Sequence, residues 1–481
     1  MDLRPVGYVI GLLVAVLGAA MVLPMLVDLA EGRGHWYVFA ESALITLVIG
    51  GVLSLSCANS VREGLTIQQT FLLTTGVWLA LPVFGALPFW FGATEARYVD
   101  AFFEAMSGLT TTGSTVLSGL EALPKGLLLW RGILQWLGGI GIIVVAMVFL
   151  PELRVGGMQI FRTEAFDTFG KILPRATEIA SRISVIYIAL TLICALAYIG
   201  AGMNAFDATV HAMTTIATGG FANYDASFAA FGPGASYVAC LFMILAALPF
   251  VRFVQLSAGT ARPLLHDTQI HVFLATALAV VTLVALSNIL RADTLTEAAF
   301  RTALFNTVSL MTGTGYANAD YMQWGGFAVA VLFFTGLIGG CAGSTACSIK
   351  IFRYQLLFAS IRAQLQKTRS PHGIFTPRYA GRPVGEDVLN SVMSFFMFFV
   401  VTLGVLSVAL AMTGLDFVTS ISGAATALAN IGPGFGDQIG PAGNFAGLND
   451  TAKWLLSAAM LIGRLELMAV YVIFTVGFWR A

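Results

Sequence analysis

Four short segments rich in glycine and threonine are the residues whose type and spacing could do chemistry in this chain. Each segment ends in a glycine, and these glycines are separated by 107, 95 and 117 residues, which we take as the size of one internal repeat. The segments are Thr110, Thr111, Thr112 and Gly113; Ala217, Thr218, Gly219 and Gly220; Thr312, Gly313, Thr314 and Gly315; and Ala429, Asn430, Ile431 and Gly432.

The chemistry open to such segments is the binding of a dehydrated cation by main-chain oxygen atoms. A ring of carbonyl oxygens can take the place of the water around an ion. Glycine suits this task because it accepts a positive φ and lets four chains approach closely. Non-helical backbone at membrane depth is tolerated only where it lines an aqueous cavity. A single glycine turn would mean little, but four equivalent turns predict one shared ion site.

Each segment follows a stretch that is apolar but shorter than the roughly 20 residues needed to cross a bilayer. These stretches are 101–109, 205–217, 298–311 and 417–429. We predict four half-helices that enter the membrane and stop, with their negative C-terminal ends facing the ion. The residues predicted to start them are Asp100, Asp207, the capping-box pair Thr294 and Glu297, and Asp416.

Full-length apolar spans stand on either side of every half-helix, and two further spans precede the first repeat. The apolar run from Val6 to Val27 exceeds the 7–15 residues of a signal-peptide core, so we interpret it as a membrane helix. The ten predicted spans are 6–27, 37–58, 68–91, 127–150, 180–202, 235–258, 269–290, 325–349, 389–413 and 454–478.

The composition requires the bilayer as the main solvent. Hydrophobic residues make up 58% of the chain and charged residues only 10%, whereas a soluble domain carries roughly 25% charged residues. We therefore predict an all-α polytopic membrane protein, with four helix–pore-loop–helix repeats around one pore and two extra N-terminal helices. A formal net charge of zero gives no support for nucleic-acid binding. The predicted units are 1–63, 64–155, 176–262, 266–362 and 385–481.

Basic residues in the loops predict the orientation, because cytoplasmic loops carry more lysine and arginine. With the N-terminus inside, 17 basic residues face the cytoplasm and 7, including Arg131, face outward. Both termini are therefore expected in the cytoplasm, and the half-helices are expected to enter from the outside.

With these features the chain resembles the Trk/Ktr/HKT superfamily of potassium transporters, and within it the bacterial Trk type. The resemblance covers nearly the whole chain and is carried by residues 107–113, 215–221 and 430–434. It implies uptake of potassium as the substrate ion, across a bacterial cytoplasmic membrane, through a filter whose four aligned glycines mark potassium preference. Departures at Gly313, Asn430 and Ile431 suggest an asymmetric filter, so a sodium-coupled or less selective Ktr-like transporter is the alternative.

A second group of small residues interrupts the eighth predicted span. The group contains Gly339, Gly340, Gly343, Ser344 and Thr345, and Lys350 follows it. Three glycines disfavour a firm helix, although small residues also serve close helix packing in membranes. The resemblance implies that this break forms an intramembrane gating loop.

Arg464 lies within the last predicted span. A centred arginine costs about 2.5–3.5 kcal/mol on insertion scales, so we expect it to face water or a partner. A salt bridge to another helix is one interpretation, since Glu466 points to a different face of the same helix. The resemblance implies the other, a positive charge near the pore that opposes cation passage until the gate moves.

No motif for catalysis or nucleotide binding occurs in the sequence, which contains neither HExxH, GxSxG nor GxxxxGK. We therefore predict no enzyme activity and no cofactor in this chain. A secondary transporter for an organic solute remains a lower-ranked alternative, because that class uses inverted repeats and these repeats share one orientation.

The stretch 350–387 is the longest predicted cytoplasmic loop and carries seven basic residues. These residues can orient the chain and contact lipid. The resemblance implies that they also dock a cytosolic ring of nucleotide-binding subunits similar to TrkA, and that the chain forms a homodimer.

Overall fold

The computed structural model describes residues 2–32, 34–60, 65–145, 157–158, 176–292 and 296–480. Apart from short 3₁₀ turns, its regular structure is α-helical, with one two-stranded hairpin of β1 (Arg378–Tyr379) and β2 (Arg382–Pro383). The helices are α1 (Arg4–Ala20), α2 (Val22–Ala30), α3 (Trp36–Cys57), α4 (Ile67–Gly85), α5 (Leu87–Phe91), α6 (Tyr98–Leu109), α7 (Lys125–Val144), α8 (Ala176–Gly200), α9 (Ala205–Ile216), α10 (Pro233–Ala246), α11 (Phe250–Ser257), α12 (Arg262–Leu265), α13 (Thr268–Ala292), α14 (Glu297–Thr312), α15 (Gly326–Gly336), α16 (Ile351–Arg369), α17 (Glu386–Met412), α18 (Phe417–Ala429), α19 (Asp450–Arg464), α20 (Met468–Tyr471) and α21 (Val476–Arg480).

The predicted fold class is confirmed, because the described chain is an all-α polytopic membrane protein. Seven helical segments are long and apolar enough to cross a membrane: α1 with α2, α3, α4 with α5, α7, α8, α13 and α17. Two sharply bent pairs, α10 with α11 and α19 with α20, raise the number among the described residues to nine. The prediction of ten full spans was therefore wrong by one.

The missing span is the predicted segment 325–349. Helix α15 contains only 11 residues and ends at Gly336. After it the chain turns back on itself, and the main-chain N–H of Gly339 donates to the carbonyl of Ile349 at 2.8 Å. A side chain on Gly339 would collide with the carbonyl of Cys347. The glycines predicted to interrupt this span therefore replace its second half with a loop, residues 337–350, which we call the inner loop.

Both bent spans have local backbone causes. Helices α10 and α11 meet at 89°, and Pro249, which has no N–H to donate, directly precedes α11. Helices α19 and α20 meet at 105°. There Glu466 and Leu467 have φ values of 64° and 50°, a left-handed conformation that ends a helix. The sequence analysis treated both segments as continuous spans.

The four predicted half-helices are confirmed as α6, α9, α14 and α18, each 12 to 16 residues long. Their predicted start residues were partly wrong. Asp416 does cap α18 by accepting hydrogen bonds from two main-chain N–H groups. Asn204 caps α9 in place of Asp207, and Thr296 caps α14 in place of Thr294, which lies outside the described residues. Asp100 lies within the first turn of α6, whose cap position makes no side-chain hydrogen bond.

The two extra N-terminal helices pack closely on each other and on the first repeat. A methyl group added to Gly11 of α1 would lie 2.6 Å from the main-chain nitrogen of Ser54 in α3. One added to Gly50 would lie 2.6 Å from that of Ala15. Small residues at such crossings let two membrane helices approach closely. Parts of the topology prediction, at Arg33, Arg62, Arg154, Arg162, Lys171 and Arg175, lie outside the described residues.

Candidate ion filter and gate

The four glycine segments meet around one centre. Each segment follows the C-terminus of its half-helix, and each approaches the next one along the chain. The contacts join Gly113 to Gly219, Gly220 to Thr314, Gly315 to Gly432, and Gly432 back to Gly113. A methyl group on Gly432, for example, would lie 2.9 Å from the carbonyl oxygen of Gly113. The segments therefore close a four-membered ring in chain order, so the first and third lie opposite each other.

The backbone of this ring alternates in handedness. The filter glycines of the first three segments have φ values of 86°, 79° and 82° at Gly113, Gly220 and Gly315. Two residues earlier the chain is also left-handed in all four segments, at Thr111, Thr218, Gly313 and Asn430. Gly432 is the one filter glycine without a positive φ. Close approach to Gly113 is the constraint that excludes a side chain at Gly432.

Main-chain hydrogen bonds hold each segment on its own half-helix. In the first, second and fourth segments, the main-chain N–H of the residue before the filter glycine donates to the carbonyl five residues earlier. In the third segment, the N–H of Gly315 itself donates to the carbonyl six residues earlier. The bonds are Thr112 to Ser107 (2.9 Å), Gly219 to Thr214 (2.8 Å), Ile431 to Thr426 (2.9 Å) and Gly315 to Ser309 (3.2 Å). The negative ends of four half-helix dipoles consequently converge on the ring, which favours a cation at its centre.

Side chains join neighbouring segments and explain the irregular fourth one. The amide of Asn430 donates to the Thr112 hydroxyl at 3.0 Å and to the carbonyl of Met460 at 2.8 Å. The Ser114 hydroxyl donates to the carbonyl of Gly432 at 2.8 Å. Asn430 thus replaces a threonine with a longer side chain that ties the fourth segment to the first.

The sequence analysis missed three buried polar residues behind the ring. Arg131 was counted among the outward-facing charges, but it is 1% exposed and pairs with fully buried Glu104 at 2.8 Å. Its guanidinium also donates to the carbonyl of Ala222 at 2.6 Å. Gln135, one helical turn further along α7, contacts the second segment through Gly219 and Phe221. Their position in apolar stretches was the signal available in the sequence.

A vestibule opens onto the ring. It has a volume of about 360 Å³, and its lining includes all four filter glycines together with Tyr224 and Asp225. Among the described residues, no group of three or more His, Cys, Asp or Glu side chains could hold a metal ion.

The inner loop lies on the opposite side of the ring from the vestibule. Cys347 contacts two opposite segments: its Sγ lies 3.5 Å from the Thr111 hydroxyl, and its main-chain N–H donates to the carbonyl of Thr312 at 3.3 Å. A methyl group on Gly313 would lie 2.8 Å from the Cβ of Cys347. Because the first and third segments face each other across the ring, Cys347 lies beneath its centre. The sequence analysis did not select Cys347.

The predicted gate residues of the inner loop form hydrogen bonds with the second repeat, with α16 and within the loop itself. The main-chain N–H of Phe250, at the bend between α10 and α11, donates to the carbonyl of Gly343 at 2.9 Å. The Thr345 hydroxyl donates to the carbonyl of Ala246 at 3.0 Å, and Ser344 bonds within the loop. Gly340 accepts from the first residue of α16, and the Lys350 ammonium donates to the carbonyl of Ala346. The loop is thus fastened to the bent second span of the second repeat.

Arg464 is the last residue of α19 and is 4% exposed. Its guanidinium donates to Cys347 Sγ at 3.0 Å and to the carbonyl of Gly138 at 3.5 Å. No carboxylate within the described part of the chain forms a salt bridge with it. Glu466 pairs instead with Arg353 of α16. The structure therefore places the Arg464 charge against the inner loop, next to the residue beneath the ring.

An all-α membrane protein with four convergent half-helices, a ring of four glycine segments and a buried arginine beside it fits the architecture of a cation transport protein. The family model TrkH, described as "Cation transport protein", matches residues 35–478. The chain therefore belongs to the TrkH family.

Individual relatives agree with this assignment. The chain is 43% identical over 478 residues to the Trk system potassium uptake protein TrkI of Halomonas elongata, covering 99% of this chain and 97% of the relative. It is 36% identical to TrkH of Escherichia coli K12, with 100% of both chains covered. The crystal structure of the potassium transporter TrkH from Vibrio parahaemolyticus matches with a TM-score of 0.91 at 33% identity, again over 100% of both chains.

Proposed function

We propose that this chain takes up potassium ions through the ring of glycine segments. The observation that carries the proposal is the closed ring itself, in which four non-helical segments face one centre at the C-termini of four half-helices. Carbonyl rings of this kind substitute for the hydration shell of potassium. The relatives' description as Trk system potassium uptake proteins supports the same ion.

The ion ligands are the main-chain carbonyls of the four segments. Each of the units 64–155, 176–262, 266–362 and 385–481 supplies one segment, and unit 1–63 supports the first. The ligand set is Thr110, Thr111, Thr112 and Gly113; Ala217, Thr218, Gly219 and Gly220; Thr312, Gly313, Thr314 and Gly315; and Ala429, Asn430, Ile431 and Gly432.

The inner loop and Arg464 form the gate, and the structure corresponds to its closed state. Cys347 beneath the ring and the adjacent Arg464 charge both oppose a cation leaving the filter. Opening requires the inner loop to leave the ring, which breaks the contacts at Thr111 and Thr312. Gly339, Gly340 and Gly343 give the loop the conformational freedom for this movement, while Ser344, Thr345 and Lys350 hold it when closed.

The orientation in the membrane, the partner subunit and the oligomeric state are inferred from the charge distribution and from the family. Both termini lie in the cytoplasm of a bacterial cell, with the vestibule outside. Helix α16 and the β1–β2 hairpin lie in the basic stretch 350–387, where a cytosolic nucleotide-binding subunit similar to TrkA docks. The functional unit is a homodimer, in which each chain has its own pore.

Rubidium uptake into vesicles that contain the purified chain tests the proposal, with potassium, sodium and an amino-acid mixture as competitors. We expect potassium to compete far better than sodium and the amino acids to have no effect. Uptake that is blocked by amino acids would favour an organic-solute transporter. Uptake that is absent both with the unaltered chain and with Arg464→Ala, which removes the proposed gate charge, would contradict a potassium pore.

Gly113→Ser is the informative variant in this assay. A side chain at Gly113 would collide with the carbonyl of Gly219, so we expect weaker potassium preference or loss of uptake. Gly202→Ser is the matched control, because Gly202 also has a positive φ but has open space around it. If Gly113→Ser and Gly202→Ser lower uptake or potassium preference equally, backbone strain at a positive φ explains the change, and collision within the ring does not.

A further inference from the structure

Gln135 is a buried polar residue that the proposed uptake mechanism does not use, yet it touches the filter directly. Its side chain is fully buried on α7 of the first repeat. The amide Nε2 donates to the carbonyl oxygen of Gly219 at 2.6 Å, and the amide oxygen accepts from the main-chain N–H of Phe221 at 3.0 Å. A side chain from one repeat therefore holds the filter segment of the next.

Arg131 makes this contact rigid. It precedes Gln135 by four residues, so both side chains project from the same face of α7. Arg131 donates to the carbonyl of Ala222 at 2.6 Å and is itself fixed by Glu104, whose carboxylate also accepts from the main-chain N–H of Val116. Helix α7 thus fixes the second segment at three nearby main-chain groups, and the Gln135 amide has little freedom to leave Gly219.

In the layer of carbonyls that directly precede the filter glycines, the contact makes one quarter of the ring different from the rest. In other layers, side-chain hydroxyls donate to the carbonyls of Ala217, Ala429 and Gly432. The carbonyls that precede the four filter glycines belong to Thr112, Gly219, Thr314 and Ile431. All four residues are described by the structure, and only the carbonyl of Gly219 accepts a hydrogen bond from a side chain. The third and fourth segments differ from the others in sequence. Within this layer, the Gly219 carbonyl oxygen differs from the other three because it accepts the Gln135 hydrogen bond.

A hydrogen-bond donor beside a carbonyl reduces the negative potential that the oxygen offers to an ion. The attraction between an ion and an oxygen rises steeply as their distance falls, so a strong-field oxygen favours the smaller sodium ion more than potassium. We propose, resting on the proposed uptake function, that Gln135 is a specificity-determining residue of the filter. Its amide weakens the field of the Gly219 carbonyl and thereby favours potassium over sodium.

Gln135→Met tests the inference in the rubidium assay, because methionine keeps the length of the side chain but has no N–H to donate. We expect the sodium concentration that halves rubidium uptake to fall roughly fivefold, the factor that corresponds to one hydrogen bond. A purely structural role would lower maximal uptake and leave the sodium-to-potassium inhibition ratio unchanged.

Trp136→Phe is the matched control. It also removes one side-chain hydrogen bond from α7, the 3.1 Å bond from Trp136 Nε1 to the Thr191 hydroxyl, but this bond faces α8 and not the filter. We expect its inhibition ratio to equal that of the unaltered protein.

The outcomes separate the two proposals. Absence of uptake by both the unaltered protein and the Arg464→Ala variant refutes the potassium pore itself. Uptake by the unaltered protein, together with a Gln135→Met ratio within about twofold of it, overturns only the role of Gln135. If Gln135→Met does not assemble, Gly219→Ala is judged by the same criterion, because a methyl group there would lie 2.8 Å from Nε2 of Gln135 and displace the same amide.

Discussion

At the scale of single residues, the four filter glycines are required for two different reasons. Gly113, Gly220 and Gly315 adopt a left-handed backbone that costs other residues roughly 1–2 kcal/mol. The neighbouring segment also excludes a side chain at these three positions, and at Gly432, which has no such conformation, this close approach is the only one of the two reasons that applies. The ring is therefore similar in sequence but not equivalent in backbone, and each position would respond to substitution for its own reason.

The proposed gate role of Arg464 predicts how its replacement changes ion uptake. Replacing Arg464 with alanine removes the charge beside Cys347, and we expect initial rubidium uptake to rise about tenfold or more. The physical reason is that two like charges 4 Å apart repel by about 4 kcal/mol at an effective dielectric constant of 20. Arg464→Lys retains the charge and is the control. Unchanged uptake by the alanine variant would show that the inner loop closes the pore without help from this charge.

At the scale of elements, the half-helices depend on their caps. Asp416 accepts hydrogen bonds from the main-chain N–H groups of Val418 and Thr419 at the start of α18. We expect Asp416→Ala to lower the free energy of unfolding by about 1 kcal/mol, and Asp416→Asn to have little effect, because asparagine caps about as well. Thermal unfolding of the purified protein in detergent measures both.

The pH dependence of this cap has a definite sign. Hydrogen bonds from Thr419 and Val418 lower the pKa of Asp416 below its ordinary value of 3.8. The stabilisation is therefore complete above pH 3.8 and is lost only as the pH falls through the lower pKa of the folded state. The stability difference between the Asp416→Ala variant and the unaltered protein should be constant from about pH 5 to 8. A difference that shrinks within that range would contradict this assignment.

The sequence predicted the half-helices but not the two bends. The half-helices and their glycine segments were found because each is a local pattern repeated four times. The bends after α10 and α19 were missed, because each bent pair of helices is together long and apolar enough to count as one span. Pro249 was a visible local signal for the first bend, whereas the left-handed conformation of Glu466 and Leu467 has no comparable signature in the sequence.

At the scale of the whole molecule, what sequence reasoning could not find was pairing between repeats. Arg131 of the first repeat bonds to Ala222 of the second, 91 residues away, and Arg464 of the fourth repeat bonds to Cys347 of the third, 117 residues away. No local pattern indicates which of the buried polar groups meet. The ring was predictable because its four members resemble each other, while its supports have no such resemblance.

The ion pair between Arg353 and Glu466 connects the start of α16 to the bend that follows α19, and so joins the third and fourth repeats. Arg353 is buried, and the Glu466 side chain is 12% exposed. We expect Glu466→Gln, which removes the negative charge facing Arg353, to lower the free energy of unfolding by about 3–5 kcal/mol. Asp450→Asn is the control, because its pair with Arg97 is exposed and worth about 1 kcal/mol or less. Equal changes in thermal midpoint would contradict the difference expected from burial.

Because a single polypeptide supplies all four members of the ring, each member can change alone. In a channel assembled from four identical subunits, one mutation changes all four quarters of the ring at once. Here one mutation alters a single quarter of the ring, so each quarter can be changed by itself while the other three stay unaltered as an internal reference.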